Sequence, residues 1–353
     1  MRPMKLSIAV TLIMGLGAIA VIAQTANRPG AKASTLTAMD YIQIKQLANR
    51  FAFAHDTGAD NGCELANLFT ADGEFEPDHV KGRDKLAALA RLAKHGPLRT
   101  SLYTMNHLIE PSPEGARGKQ YVIEIQHDDI IPAVPPGESQ WNLVGQKRGS
   151  VTTVGGHYED IYVKTTDGWR FKRREFVPSQ RGMQPVPVDF KAPVLAPGPA
   201  CGPAKKPSVG SLTAMDYLGI ERVVASYGHA LDNGYGKGEN AEAYAGLYTR
   251  DASFGRTIGH DDLALLGSVQ PHSATYVRHY LTNHVIEGTS DGGAKGKQYL
   301  VVIDISEGGQ PGTIFLGGHY EDVYAKTADG WRIKTRTLFR AQSAPDAKAV
   351  TTR

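Results

Sequence analysis

A chain that carries the same strand-turn-strand segment twice is built to fold as two like units. Gly155-Gly156-His157-Tyr158-Glu159-Asp160 runs through Ile161-Tyr162-Val163-Lys164-Thr165 to Asp167-Gly168-Trp169-Arg170. Gly317-Gly318-His319-Tyr320-Glu321-Asp322 runs through Val323-Tyr324-Ala325-Lys326-Thr327 to Asp329-Gly330-Trp331-Arg332. Aromatic and β-branched residues favour strands, and Asp-Gly is a strong short-range hairpin signal. A lone hairpin is marginal in water, so each copy needs more strands and a helix over its apolar face. With 353 residues there is room for two such domains.

The missing partners lie upstream in both copies. Leu36-Thr37-Ala38-Met39-Asp40-Tyr41 recurs at Leu212 to Tyr217, an offset of 212 − 36 = 176. Thr37 and Thr213 are natural N-caps for the helix that follows. In the second copy Ile220, Val223, Val224, Tyr227 and Leu231 fall at helical spacing and form one buried stripe. Asp232-Asn233-Gly234 ends that helix, and Asp56-Thr57-Gly58 ends the first. A short helix should follow, closing at Leu68-Phe69-Thr70 and at Leu247-Tyr248-Thr249. A brief strand, a third helix and the long strands with Met105-Asn106-His107 and Thr282-Asn283-His284 complete each copy.

The order helix, helix, short strand, helix, long strands predicts an α+β class: two cone-shaped barrels, each a curved antiparallel sheet covered by its N-terminal helices. The mouth of such a cone is a natural small-molecule pocket. The domains are expected at 36–178 and 211–341, joined by a Pro/Ala/Gly-rich linker at 179–210, with a leader at 24–35 and a tail at 342–353. From Ile125 to Gly155 is 155 − 125 = 30 residues, against 317 − 303 = 14 from Ile303 to Gly317. The extra length around Pro132 to Gly149 reads as an exposed hairpin tip, with a lid or an interdomain contact as the alternative.

Arg2 and Lys5 precede an uncharged run from Leu6 to Ala23, the pattern of a secretory signal peptide over residues 1–23 cleaved after Ala23. An uncleaved membrane anchor is the alternative. Either places the folded part outside the cytoplasm, periplasmic or secreted, and processing would leave no stable membrane span. Without Arg2 and Lys5 the charge is 39 − 2 = 37 basic against 36 acidic residues, with no basic block, so nucleic acid is not an expected partner. Cys63 and Cys201 are the only cysteines; a pair and two separate thiols both remain open, and no zinc spacing exists.

The aromatic-x-x-x-x-Asp helix end, Leu-[Phe/Tyr]-Thr-x-Asp, the strand Asn and Gly-Gly-x-Tyr-x-Asp…Asp-Gly-Trp-Arg resemble the SnoaL-like group of the nuclear transport factor 2-like superfamily, over nearly all of both repeats. That superfamily includes ketosteroid isomerase, scytalone dehydratase, hexachlorocyclohexane dehydrochlorinase, polyketide cyclases and non-catalytic binding domains, so the resemblance speaks to fold more than chemistry. Its dehydratase and dehydrochlorinase members use an Asp at the end of the first helix and a His on the strand. Asp232 and His279 match those positions, and the resemblance implies His279 as general base with Asp232 orienting it.

Spacing adds that His279 and Asn283, four apart on a strand, project to one face. Tyr227 and Tyr248 are candidates to polarise a carbonyl or protonate a leaving hydroxyl, or are core aromatics. In the first copy the positions of His279, Tyr227 and Tyr248 are Leu102, Phe51 and Phe69, which makes that copy a degenerate one. His55 is read as pointing away from Asp56 on another helix face. His157 and His319, in His-Tyr-Glu-Asp, offer too few same-face ligands for a metal and are read as structural. Arg332, Lys334 and Arg336 alternate, which reads as a solvated sheet face. The expectation is a cofactor-independent lyase or isomerase in the second copy, acting on a small molecule, with a non-catalytic small-molecule or protein binding module as the alternative. The two copies are expected to pack together within the chain.

Overall fold

The computed structural model describes residues 35–76, 79–95, 100–127, 151–179, 198, 200–202, 212–233, 241–268, 277–304 and 313–341. The signal peptide and its cleavage point, residues 24–34 of the leader, the run from Pro132 to Gly149, most of the linker and the tail lie outside these residues. The described residues all fall within one compact unit. Among the described residues, no helix is long and apolar enough to cross a membrane.

The first half places α1 (Ala38–Thr57), α2 (Cys63–Asn67) and α3 (Arg83–His95) against six strands. These are β1 (Phe69–Glu76), β2 (Val80–Lys81), β3 (Thr100–Ser112), β4 (Gly115–Gln126), β5 (Val151–Thr165) and β6 (Gly168–Pro178). The second half repeats the order with α4 (Ala214–Asn233), α5 (Ala241–Ala245), β7 (Tyr248–Phe254), β8 (Thr257–Ile258) and α6 (His260–Ser268). Then come β9 (Val277–Gly288), β10 (Ala294–Asp304), β11 (Thr313–Thr327) and β12 (Gly330–Arg340). The sheets run β2-β1-β6-β5-β4-β3 and β8-β7-β12-β11-β10-β9. Each half is an α+β cone, but the sheet is mixed: β1 joins β6, and β7 joins β12, in parallel. Neither sheet closes, because the edge strands do not meet. The short helices α2 and α5 end earlier than the sequence suggested, and Phe69 and Tyr248 open strands instead.

One clamp explains why the duplicated motifs travel together. At the start of α1, Thr37 and Asp40 form a capping box, Asp40 N donating to Thr37 Oγ1 at 3.2 Å and Thr37 N to Asp40 Oδ2 at 2.9 Å. The other carboxylate oxygen accepts Trp169 Nε1 at 2.9 Å and Lys164 Nζ at 2.6 Å from the hairpin. In the second half Asp216 does the same with Thr213, Trp331 and Lys326. The cap at the helix start and the Asp-Gly-Trp turn are therefore one tertiary unit. The Lys326 ammonium and the Thr213 hydroxyl hold the Asp216 carboxyl well below its ordinary range.

The strand after α6 contains a bulge. β9 pairs Thr282 with Tyr299 and Val285 with Lys297, so one residue is extra, and Asn283 adopts φ 54°. Asn106 adopts φ 55° at the same place in β3, and Asn tolerates this left-handed region better than most residues. Beyond the bulge His284 and Ile286 face inward. His284 Nε2 lies 3.1 Å from Tyr324 Oη, and Gly296 leaves room for that pair, since a Cβ there would stand 2.7 Å from the Tyr324 ring.

Val285, Tyr299 and Val301 of the second half belong to the hydrophobic core of the first. Burying an aliphatic side chain of this kind contributes roughly 1.5–3 kcal/mol. Polar groups define the register of this contact. Gln46 Nε2 and Asn49 Nδ2 both donate to His284 O, at 3.0 and 2.7 Å, and Ile286 N donates to Gln46 Oε1 at 2.8 Å. Cys63 pairs with Cys201 across 138 residues, with 5.4 Å between Cα atoms, and ties residues 200–202 to α2.

Candidate functional site

Asp232 occupies the last turn of α4, where the helix dipole disfavours a carboxylate. Strand β9 supplies the compensation. His279 N donates to Asp232 Oδ2 at 2.8 Å, and His279 Nδ1 lies 2.6 Å from Asp232 Oδ1. The two side chains are 7% and 3% exposed, so the pair is nearly dry and electrostatically strong. A carboxylate accepts a proton-bearing Nδ1, so the basic lone pair of the neutral imidazole is on Nε2. The pair thus has the arrangement of an oriented general base.

Tyr227, five residues before Asp232, stands edge-on to the imidazole, with ring centroids 6.4 Å apart and planes at 90°. Its hydroxyl lies 3.1 Å from that of Tyr320. Tyr248 does not touch the dyad among the described contacts. Its hydroxyl meets that of Tyr244 at 3.1 Å, and the Tyr244 ring packs 5.6 Å from Tyr227. Burial raises the pKa of Tyr227, with the nearby Arg336 charge opposing that rise, and burial pushes Tyr248 and Tyr320 up as well. All three hydroxyls stay protonated and serve as hydrogen-bond donors rather than bases.

Asn283 is not brought to this wall. The bulge turns it to the opposite face, where its Oδ1 accepts Thr104 N at 3.1 Å and its Nδ2 donates to Thr104 Oγ1 at 2.6 Å. It joins the halves instead of lining the cone, and period-two spacing could not reveal this. Leu281, before the bulge, does pack on the core of the second half.

Arg336 also departs from the sequence reading. β12 carries its own bulge, pairing Ile333 with Tyr324 and Thr335 with Val323, which leaves Lys334 extra. The inward phase passes from Trp331 and Ile333 to Arg336 and Leu338. Arg336 is therefore buried, not solvated. Its Nε and Nη2 donate to Asp322 at 2.8 and 2.7 Å, and its guanidinium lies 4.1 Å from the Tyr227 ring and 4.4 Å from Tyr320. Arg174 repeats this in the first half with Asp160, stacked on Phe51, Tyr158 and Phe171. These arginines are framework, and the one in the second half holds the tyrosine wall beside the dyad. The inward alternation of Tyr320, Asp322 and Tyr324 is the signal that would have found that wall.

The first half has the carboxylate, Asp56, but Leu102 where the second has His279. Asp56 Oδ2 accepts Leu102 N at 2.9 Å, as Asp232 accepts His279 N, so a shared duty of this carboxylate is to receive the strand amide. Its other bonds come from unexpected partners. His55 Nδ1 lies 2.9 Å from Asp56 Oδ1, which corrects the reading that His55 points away, and Tyr299 of the second half donates to Asp56 Oδ2 at 2.7 Å. Phe51, Phe69, Phe75, Tyr158 and Phe171 fill the space where the second half has its tyrosines.

His319 stacks on Phe339 at 4.9 Å, with Glu321 Oε1 3.7 Å from its Nε2. Among the described residues, no three His, Cys, Asp or Glu side chains are grouped to hold a metal ion. Two cavities stand out. One of about 370 Å³ lies along Glu287, Lys297 and Thr335; one of about 600 Å³ lies between α1 and β9–β10. Neither is lined by Asp232 or His279.

A family model described as the SnoaL-like domain matches residues 37–175 and again 213–337. No curated protein matches the chain. Among solved structures the chain is similar to a protein of unknown function from Mycobacterium tuberculosis, at 25% identity over 36% of this chain and 72% of that one, with a TM-score of 0.31. It is also similar to an NTF2-like protein with a cystatin-like fold from Novosphingobium aromaticivorans, at 23% identity over 38% and 86%, TM-score 0.33. A proposed scytalone dehydratase from the same organism is similar at 20% identity over 39% and 89%, TM-score 0.30.

Proposed function

The chain belongs to the SnoaL-like domain family, whose domain it carries twice, and on that footing we propose that its second half is a cofactor-independent lyase or isomerase acting on a small, largely apolar molecule. His279 Nε2 takes a proton from carbon beside a carbonyl or a leaving group. Asp232 holds the Nδ1 proton and stabilises the imidazolium that forms. In a dehydration, the C–H electron pair becomes the new C=C bond as the C–O bond breaks, and the abstracted proton leaves with hydroxide as water. Tyr227, kept protonated by burial, donates to the carbonyl or the departing oxygen, and Tyr248 supports it through Tyr244.

The observation that carries this reading is the 2.6 Å contact between Asp232 and His279, with Leu102 in the histidine's place in the first half. A catalytic pair retained in one copy and lost in the other fits one working site and one supporting domain. The test follows proton abstraction directly. In deuterated water, a panel of small cyclic ketones and β-hydroxy ketones is followed by NMR for exchange of the proton beside the carbonyl. Exchange by the wild type and none by a folded His279→Ala variant is expected; exchange undiminished in that variant ends the proposal.

A second reading, a non-catalytic binding module, draws on a different observation: Tyr227, Tyr244, Tyr248, Phe254 and Tyr320 crowd the interior of the second cone, and both cavities lie elsewhere. Localisation outside the cytoplasm is proposed on either reading, with the Cys63–Cys201 disulfide in support. We also propose that the two halves act as one unit, without nucleic acid.

A further inference from the structure

The larger cavity has no counterpart in the sequence motifs. It lies where the sheet of the second half rests on α1 of the first, and its volume of about 600 Å³ is in the range of sites for ligands of drug size. Leu47, Phe53 and Trp169 give it apolar walls. Three cations also line it, and they are loosely compensated. Arg170 Nη1 donates to the carbonyl of its own neighbour Trp169. Arg50 Nη2 is 3.6 Å from Glu287, whose side chain is half exposed. Lys297 Nζ lies 4.6 Å over the Phe53 ring. Among the described residues none of the three has a closer ion pair.

The carboxylates at the cavity, Asp60, Glu64, Asp167 and Glu287, are exposed, whereas the three cations are partly withdrawn from water. A charge acts on a ligand more strongly where the local dielectric is low, so the cations dominate inside. Burial disfavours the charged form of Arg170; the Asp167 carboxylate opposes this in part, and the Arg50 charge adds to it, a repulsion that a bound anion would relieve.

We propose that this cavity is a binding site for a small amphipathic carboxylate, its acid group held by Arg50 and Arg170 and its apolar body lying against Leu47, Phe53 and Trp169. Guanidinium forks match a planar carboxylate in two parallel hydrogen bonds, and Lys297 adds a third positive charge. The site is separate from the Asp232–His279 pair and stands or falls without it. Because α1 supplies one wall and β9–β10 the other, the ligand would also brace the two halves against each other.

Titration calorimetry with naphthalene-2-carboxylate tests this on the full chain, with naphthalene-2-carboxamide as its uncharged counterpart. The carboxylate is expected to bind at least ten times more tightly than the amide. Arg50→Gln and Arg170→Gln are each expected to weaken it tenfold or more, and His279→Ala to leave it unchanged. Both arginines are partly exposed, and circular dichroism checks that the variants remain folded. Lys297→Gln is expected to weaken binding less, as a point charge without the fork. No binding of the carboxylate to the wild type at millimolar concentration, equal binding of the amide, or full affinity in both arginine variants would overturn the proposal. Loss of binding in His279→Ala alone would place the probe in the cone and overturn it equally.

Discussion

Replacing Asp322 with Asn should remove a large part of the stability of the second half. Asp322 accepts four bonds: Arg336 Nε at 2.8 Å, Arg336 Nη2 at 2.7 Å, Gln298 Nε2 at 3.0 Å and Tyr324 Oη at 2.6 Å. Both members of the ion pair have side chains 0% exposed. Asn keeps the shape, but it deletes the counter-charge and turns one acceptor into a donor that faces other donors. Leaving a buried charge without its partner costs about 3–5 kcal/mol, against a total of about 5–15 kcal/mol for a typical domain. The cation–π contacts to Tyr227 and Tyr320 exist before and after the change, so they do not reduce this cost. Removing both charges in Asp322→Asn/Arg336→Met should cost less than Asp322→Asn alone, because no isolated charge is left buried. Urea unfolding, followed by tryptophan fluorescence and circular dichroism, measures each variant. Asp160→Asn in the first half, where Arg174 pairs with Asp160, is the internal control. A cost below about 1 kcal/mol for Asp322→Asn, or a double variant as costly as the two singles added, would refute the reasoning.

Three further outcomes are expected. His107, His127 and His284 are held neutral by burial, with pKa values lowered to about 4, 4 and 3 from an ordinary 6.5. Above pH 6.5 both states bind the same protons; below it the unfolded chain takes up protons that the folded one refuses. Stability should therefore fall as pH drops from about 6.5 to about 4, by roughly 1.4 kcal/mol per unit for each histidine, and urea midpoints across that range check it. Cys63→Ser/Cys201→Ser should lose about 2–4 kcal/mol, since the bridge closes a long loop; unchanged urea midpoints would count against this. Asn283→Gly keeps the left-handed backbone but loses both bonds to Thr104, so it should cost about 1–3 kcal/mol, and Asn283→Ala more because of its φ of 54°. Thermal melts of the pair would show the order reversed if the bulge were absent.

Much of the candidate site was legible because its signals are local. Thr37 and Thr213 announced the helix starts, Asp-Gly announced the hairpins, and the Asp232 helix end with the His279 strand carried the family pattern. Other residues needed the fold because they sit across a change of phase. Strand alternation predicted one face for His279 and Asn283, and another for Arg332, Lys334 and Arg336. One extra residue in β9 and one in β12 reversed the phase in each, sending Asn283 to the other half and Arg336 into the core. A bulge of this kind is a property of paired strands, since only the register of the neighbour reveals which residue is extra.

Periodicity and repetition, which reach a few residues along the chain, were enough for the duplication and the α+β class, and the family resemblance singled out Asp232 and His279. Contacts between residues far apart in sequence were settled only when the halves met. Tyr299 reaching Asp56, Asn283 reaching Thr104, and a cavity shared by α1 and β10 are all of this sort. A side chain's partner across 243 positions depends on shape and packing, and no local pattern encodes it.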